Sequence, residues 1–174
     1  MQHKEAGMSA AELYLSSESV NPIDLVENLA EHHAWDFDRM NEDQIAVAME
    51  GLWRTYSLSL AMAPDDSMLR LICTFEMDPP EARLPALYET ISRANDMVWS
   101  GAFSYWESQK LMVWRYGLML GEDQPSGIDQ IERMIHAALA ASERFYPAFQ
   151  LVVWADHSPK TALDLALAEA VGRA

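Results

Sequence analysis

The sequence predicts an α+β domain: an antiparallel five-stranded sheet flanked by helices, in the order α-βββ-α-ββ-α-α. Three observations lead there. Apolar and polar residues alternate with a period of two through three neighbouring runs between residues 45 and 77, with short polar turns between them. A second alternating pair follows between residues 102 and 120. Helix-period apolar stripes with capping signals lie before, between and after these runs rather than after every strand.

The elements follow in order. Residues 1–20 read as a flexible lead-in, in which Leu13, Tyr14 and Leu15 could dock; residues 21–174 read as one domain. Asn21 can cap a helix, Pro22 suits its first position, and Asp24 sits where a capping-box acid belongs. Ile23, Val26, Leu29, Ala30 and His33 share one face of it. Phe37–Met40 is a short strand signal, and Asn41-Glu42-Asp43 a turn. The three counted runs centre on Ile45–Met49, Trp53–Met62 and Leu69–Met77. Their apolar phase places Leu58, Leu71 and Phe75 in the core.

Pro79-Pro80 stops the sheet. Leu84, Leu87, Ile91 and Val98 then mark a helix, with Pro85 in its first turn and Gly101 as its stop. Ala102–Glu107 and Lys110–Leu120 form a hairpin across Ser108-Gln109. Ser126 and Asp129 open a third helix, which Pro147 is expected to kink or restart. Ser158-Pro159 opens a fourth.

With 174 residues, half of them apolar, the chain needs no disulfide or metal to build a core. The net charge is −15, and residues 1–51 hold 11 acids against 2 bases. Such a balance argues against nucleic acid and against an anionic membrane surface. No apolar run approaches the roughly 20 residues of a spanning helix. The start lacks the basic stretch and apolar core of a secretory signal, so a cytoplasmic location is expected.

No catalytic constellation emerges. The seven glycines are scattered and form no phosphate loop. Ser100-Gly101 and Ser104 form no nucleophile elbow. Cys73 falls on the core phase of its strand, where a thiol is inert. His32-His33 near Asp36 and Asp38 is the best metal candidate, but adjacent helical residues point about 100° apart. The expectation is therefore no catalytic residue, no cofactor and no metal. Six tryptophans and eleven methionines suit a core, and they equally suit a surface that grips a partner.

Several strings carry a further signal. They are Asp36-Phe37-Asp38-Arg39, Gly51-Leu52-Trp53-Arg54-Thr55-Tyr56, and Leu71-Ile72-Cys73-Thr74-Phe75-Glu76-Met77. A longer block runs from Asn95 through Gly101-Ala102-Phe103 to Leu111-Met112-Val113-Trp114-Arg115-Tyr116. Glu143-Arg144-Phe145-Tyr146-Pro147-Ala148-Phe149 and Trp154 complete the set. Together these resemble the YbjN family over about residues 21–174. The resemblance implies a fold like that of the type III secretion chaperones and a role as a bacterial sensory transduction regulator. It carries over no catalytic residues.

Two kinds of function follow. The leading expectation is a non-enzymatic regulatory or chaperone-like protein that binds a protein partner or client segment. The alternative is a small-ligand-binding protein or enzyme with a pocket between helix and sheet. The second face of the sheet supplies candidate partner-binding residues: Ala46, Ala48, Ser57, Ser59, Ile72, Thr74 and Val113. A solvated antiparallel face normally carries long charged side chains. Here Arg70, Glu76 and Arg115 are expected near strand ends, and the middle is small. The face is expected to be covered, by the chain's own C-terminal helices, by a second copy in a homodimer, or by a client.

Overall fold

The structure is a computed structural model that describes residues 20–121 and 127–171. The lead-in at residues 1–19 and the helix-opening Ser126 lie outside the described residues. Four helices and six strands are described: α1 (Pro22–His32), β1 (Asp36–Asn41), β2 (Gln44–Glu50), β3 (Thr55–Met62), β4 (Met68–Glu76), α2 (Leu84–Asn95), β5 (Ala102–Trp106), β6 (Leu111–Met119), α3 (Ile128–Trp154) and α4 (Pro159–Val171). All strand pairs are antiparallel, in the spatial order β1-β2-β3-β4-β6-β5.

The sheet therefore has six strands, not five. The short signal at Phe37–Met40 is a full member: Asp36 to Arg39 pair with Ala48 to Ile45, and a register shift follows before Asn41. Its alternation is hard to read because only Phe37 and Trp35 are apolar where the core needs them; Arg39 occupies an inner position instead.

Helix α1 begins as its residues require. The Asn21 side chain accepts the Ile23 N–H at 2.9 Å, and Pro22 stands at the start. Asp24 does not close a capping box; its carboxylate meets Arg39 Nη1 at 2.7 Å. Helix α2 ends at Asn95, before Gly101. Gly101 instead opens β5 with φ +73°, and a Cβ there would lie 2.2 Å from the Trp114 ring. Only glycine suits both conditions. Helix α3 runs unbroken through Pro147. Phe145, Ala148, Phe149 and Val152 are buried on either side of it, and this packing outweighs one lost backbone donor. At the start of α4, Ser158 Oγ accepts the Thr161 N–H at 3.2 Å.

Helices α1, α2 and α3 pack on one face of the sheet, and α4 packs on α2 and α3. Ile23 and Val26, Leu87 and Ile91, Phe145 and Phe149, and Ala162 and Leu163 join one core with the inward strand residues. Leu58, Leu71 and Phe75 are in that core. Of the six tryptophans, only Trp114 is fully buried; Trp99 is fully exposed, and Trp53 and Trp154 are exposed as well.

Candidate functional site

The antiparallel registers draw the candidate residues into two rows across the outer face. One row reads Asp36, Ala48, Ser57, Thr74, Val113 and Ser104 from edge to edge. The next reads Asp38, Ala46, Ser59, Ile72, Arg115 and Ala102. All seven candidates thus lie side by side. The described C-terminal helices, α3 and α4, contribute to the core on the opposite face, so the expected self-cover from these helices does not occur. Ala48 and Ser57 are exposed, and Ala46, Ser59, Ile72 and Thr74 are partly so. Val113 differs: it is 0% exposed, yet it does not belong to the core cluster. Arg115 also departs from expectation, because it stands mid-strand opposite Ile72 rather than near an end.

Both sheet edges are blunted. On β5, the Phe103 N–H donates to Asn95 Oδ1 at 2.7 Å, and Asn95 Nδ2 donates to the Phe103 carbonyl at 3.0 Å. That side chain mimics a neighbouring strand and occupies the place where one would add. On β1, Arg39 reaches from an inner position to the carboxylates of Asp24 and Glu27 on α1. Glu27 and Asp24 together hold its guanidinium above its ordinary pKa range. A charged residue tied beneath an edge strand, followed by a register shift, disfavours strand addition there.

A second cluster, away from the outer face, forms at one end of the core. The β2–β3 loop, Gly51 to Arg54, packs against α3. Glu143 Oε2 accepts the Leu52 N–H at 2.7 Å. A Cβ on Gly51 would sit 2.3 Å from Glu143 Oε1 and 2.7 Å from the ring of the buried Tyr56, so a side chain there would displace the carboxylate and press on the ring. Arg54 lies over Phe75 and Tyr146, 5.7 and 5.9 Å from the ring centroids, and donates to the Glu76 carbonyl at 3.1 Å. Burial, with the Glu143 carboxylate adding to it, pushes the Tyr56 phenol well above its ordinary pKa. The signal available in sequence was Gly51 between two strand runs, which marks a close backbone approach.

The remaining chemistry is sparse. Burial raises the Cys73 thiol to about pKa 11, while Ser142 Oγ at 3.3 Å offsets part of the shift. His33 Nε2 lies 2.8 Å from Glu132 Oε1, and its ring stacks on Trp35. Among the described residues, no three His, Cys, Asp or Glu side chains converge as a metal would need. A cleft of about 600 Å³ opens between β6 and the start of α3, lined by Trp114, Tyr116, Leu118, Arg133 and Met134 among others. Among the described residues, no helix is long and apolar enough to cross a membrane.

A family model named YbjN, "Putative bacterial sensory transduction regulator", matches residues 22–151. The chain belongs to the YbjN family. The crystal structure of YbjN from E. coli, "a putative transcription regulator", is similar, with a TM-score of 0.50 at 9% identity. The match covers 77% of this chain and 90% of that one. At that identity the likeness is one of fold. No curated protein sequence matches. The strings that resembled the YbjN family prove to be fold-setting contacts: Asn95 with Phe103, Gly101 with Trp114, and Glu143 with Leu52.

Proposed function

We propose that this YbjN-family protein is a non-enzymatic, cytoplasmic regulator that acts, chaperone-like, by holding a protein segment on the outer face of its sheet. One observation carries the reading. Both edges are blunted against strand addition, while a face of small residues is left without a described covering helix. Ala46, Ala48, Ser57, Ser59, Ile72 and Thr74 present little side-chain entropy to lose and let another layer approach closely. The family description as a regulator agrees with a partner-binding role. A second copy of the chain in a homodimer is one occupant that such a face would accept.

Ser59→Arg tests the reading. It sets a long charge among Ala46, Ser57 and Ile72, on a face that no described helix covers. Capture of the partner, or dimerisation, should be lost while thermal stability stays close to that of the native chain. Retained capture would contradict the reading.

The cleft beside Trp114 favours a second reading, as a small-ligand binder. It is an open cleft of about 600 Å³ with mixed walls, Leu118 and Met134 beside Asp129, Gln130 and Arg133, and the buried Trp114 Nε1 has no hydrogen-bond partner. A ligand there should shift Trp114 fluorescence and raise the melting temperature; Met134→Trp, which fills the cleft, should remove both effects.

A further inference from the structure

Charge is segregated across the outer face. Strand β1 contributes Asp36 and Asp38, both exposed. Arg70 on β4 and Arg115 on β6 are exposed as well. Asp36, Asp38 and Arg115 make no hydrogen bond or ion pair among the described residues. The small residues of β2 and β3 lie between the acids and the bases. The registers also centre this pattern on β3. In one row, Ser59 stands between Ala46 and Ile72, with Asp38 beyond the first and Arg115 beyond the second. In the next row, Ala61 stands between Gln44 and Arg70.

We infer, resting on the reading of this face as a binding surface, that its occupant is a second copy of this chain, related by a two-fold axis along β3 so that Asp38 of each copy meets Arg115 of the other. Strands β1 and β6 lie equally far from β3 in the sheet, so that axis lays β1 of one copy over β6 of the other. Ala46 then faces Ile72, small against large, and Gln44 faces Arg70. Ser59 and Ala61 meet their own copies on the axis, and neither is large enough to hold the sheets apart. Two twisted sheets pack face to face with their strands nearly aligned, as this arrangement requires.

Charge selects this orientation over its alternative. An axis across the strands would lay β1 over β1 and β6 over β6, acid on acid and base on base. A chain of net charge −15 repels its own copy at long range, so a contact that joins opposite charges is the favoured one. Glu50 and Glu76 fall at the rim of the face, where solvent screens them. An unrelated protein would need no balance of acid and base about one strand, whereas a two-fold contact is self-complementary by construction.

Charge exchange in the purified full chain is the test. By sedimentation equilibrium the native chain should form a dimer at concentrations up to about 1 mM, where even a small interface assembles. Asp38→Arg and Arg115→Asp should each weaken that dimer by about tenfold or more. Both positions are exposed, so both variants should keep the native circular dichroism spectrum. Asp38→Arg is the sharper case. It makes the chain less acidic, which would strengthen an association governed by net charge alone, whereas the pairing with Arg115 requires the reverse. An equimolar mixture of the two variants should form a heterodimer, because each supplies the charge that the other lacks. The double variant should dimerise again by itself. A native chain that stays monomeric would overturn the inference, as would a dimer that tolerates Asp38→Arg, or variants that gain nothing on mixing. Each of these results leaves the face open to a different protein, which crosslinking from position 57 in the cell reveals by its mass, so the two failures are separable.

Discussion

The Glu143 carboxylate accepts the Leu52 backbone N–H at 2.7 Å, across 91 residues of sequence. It ties the middle of the longest described helix to the loop between the second and third strands. Arg54, Phe75 and Tyr146 pack beside that link, so one end of the core is closed by a carboxylate and a cation over aromatic rings.

Removing this acceptor should loosen that end. Glu143→Ala should cost about 0.5–1.5 kcal/mol, because the Leu52 amide loses a charged acceptor at a site water can partly refill. Glu143→Gln keeps a carbonyl acceptor and should lose less. Urea denaturation of the two variants measures the order; equal stability of Glu143→Ala and the native chain would show that water replaces the carboxylate.

Gly101→Ala should destabilise for two independent reasons. The backbone there sits at φ +73°, and the added methyl meets the buried Trp114 ring. Strain and overpacking together should cost roughly 2–4 kcal/mol. The Trp114 emission should change in the same variant. A stability within about 0.5 kcal/mol of native would contradict the contact.

Cys73 should make stability fall in alkali. Its folded pKa, about 11, stands above the ordinary 9.0 because burial disfavours the thiolate. The unfolded thiol therefore ionises first. The contribution is fully present below pH 9 and is lost as pH rises toward 11, by about 3 kcal/mol for two pKa units. Tyr56 acts in the same direction, so the comparison is with Cys73→Ala, whose decline should be shallower over that range. Identical pH profiles would contradict this account.

Much of the fold was legible because its determinants are local. Asn21-Pro22 and Ser158-Pro159 are helix starts that need no tertiary information. The alternation through Leu58 and Leu71 fixes which face of each strand is buried. The features that local sequence hides depend on partners distant in sequence. Strand β1 hides behind Arg39, whose inward position makes sense only once Asp24 and Glu27 are in place. Gly101 after a helical run reads as a helix stop, whereas its requirement comes from Trp114 across the hairpin. Pro147 alone suggests a break, and the packing of α3 overrides it. The outer-face residues follow from their period of two, but that no described helix covers them depends on which face those helices choose. The Glu143 link was invisible for a similar reason: nothing near Leu52 announces a carboxylate 91 residues away.

The central claim is that the small-residue outer face holds a protein segment, and site-specific crosslinking in the cell tests it most directly. Ser57 would be replaced by a photo-crosslinking amino acid, with Asp164 on α4 replaced in the same way as the control. Both sites are exposed, but Ser57 lies on the small-residue face and Asp164 on the helical side. The account predicts a discrete protein adduct from position 57, absent from position 164 and lost when Ser59→Arg is added. The adduct mass separates a second copy from a different partner. No adduct from position 57, or the same pattern from both positions, would contradict it.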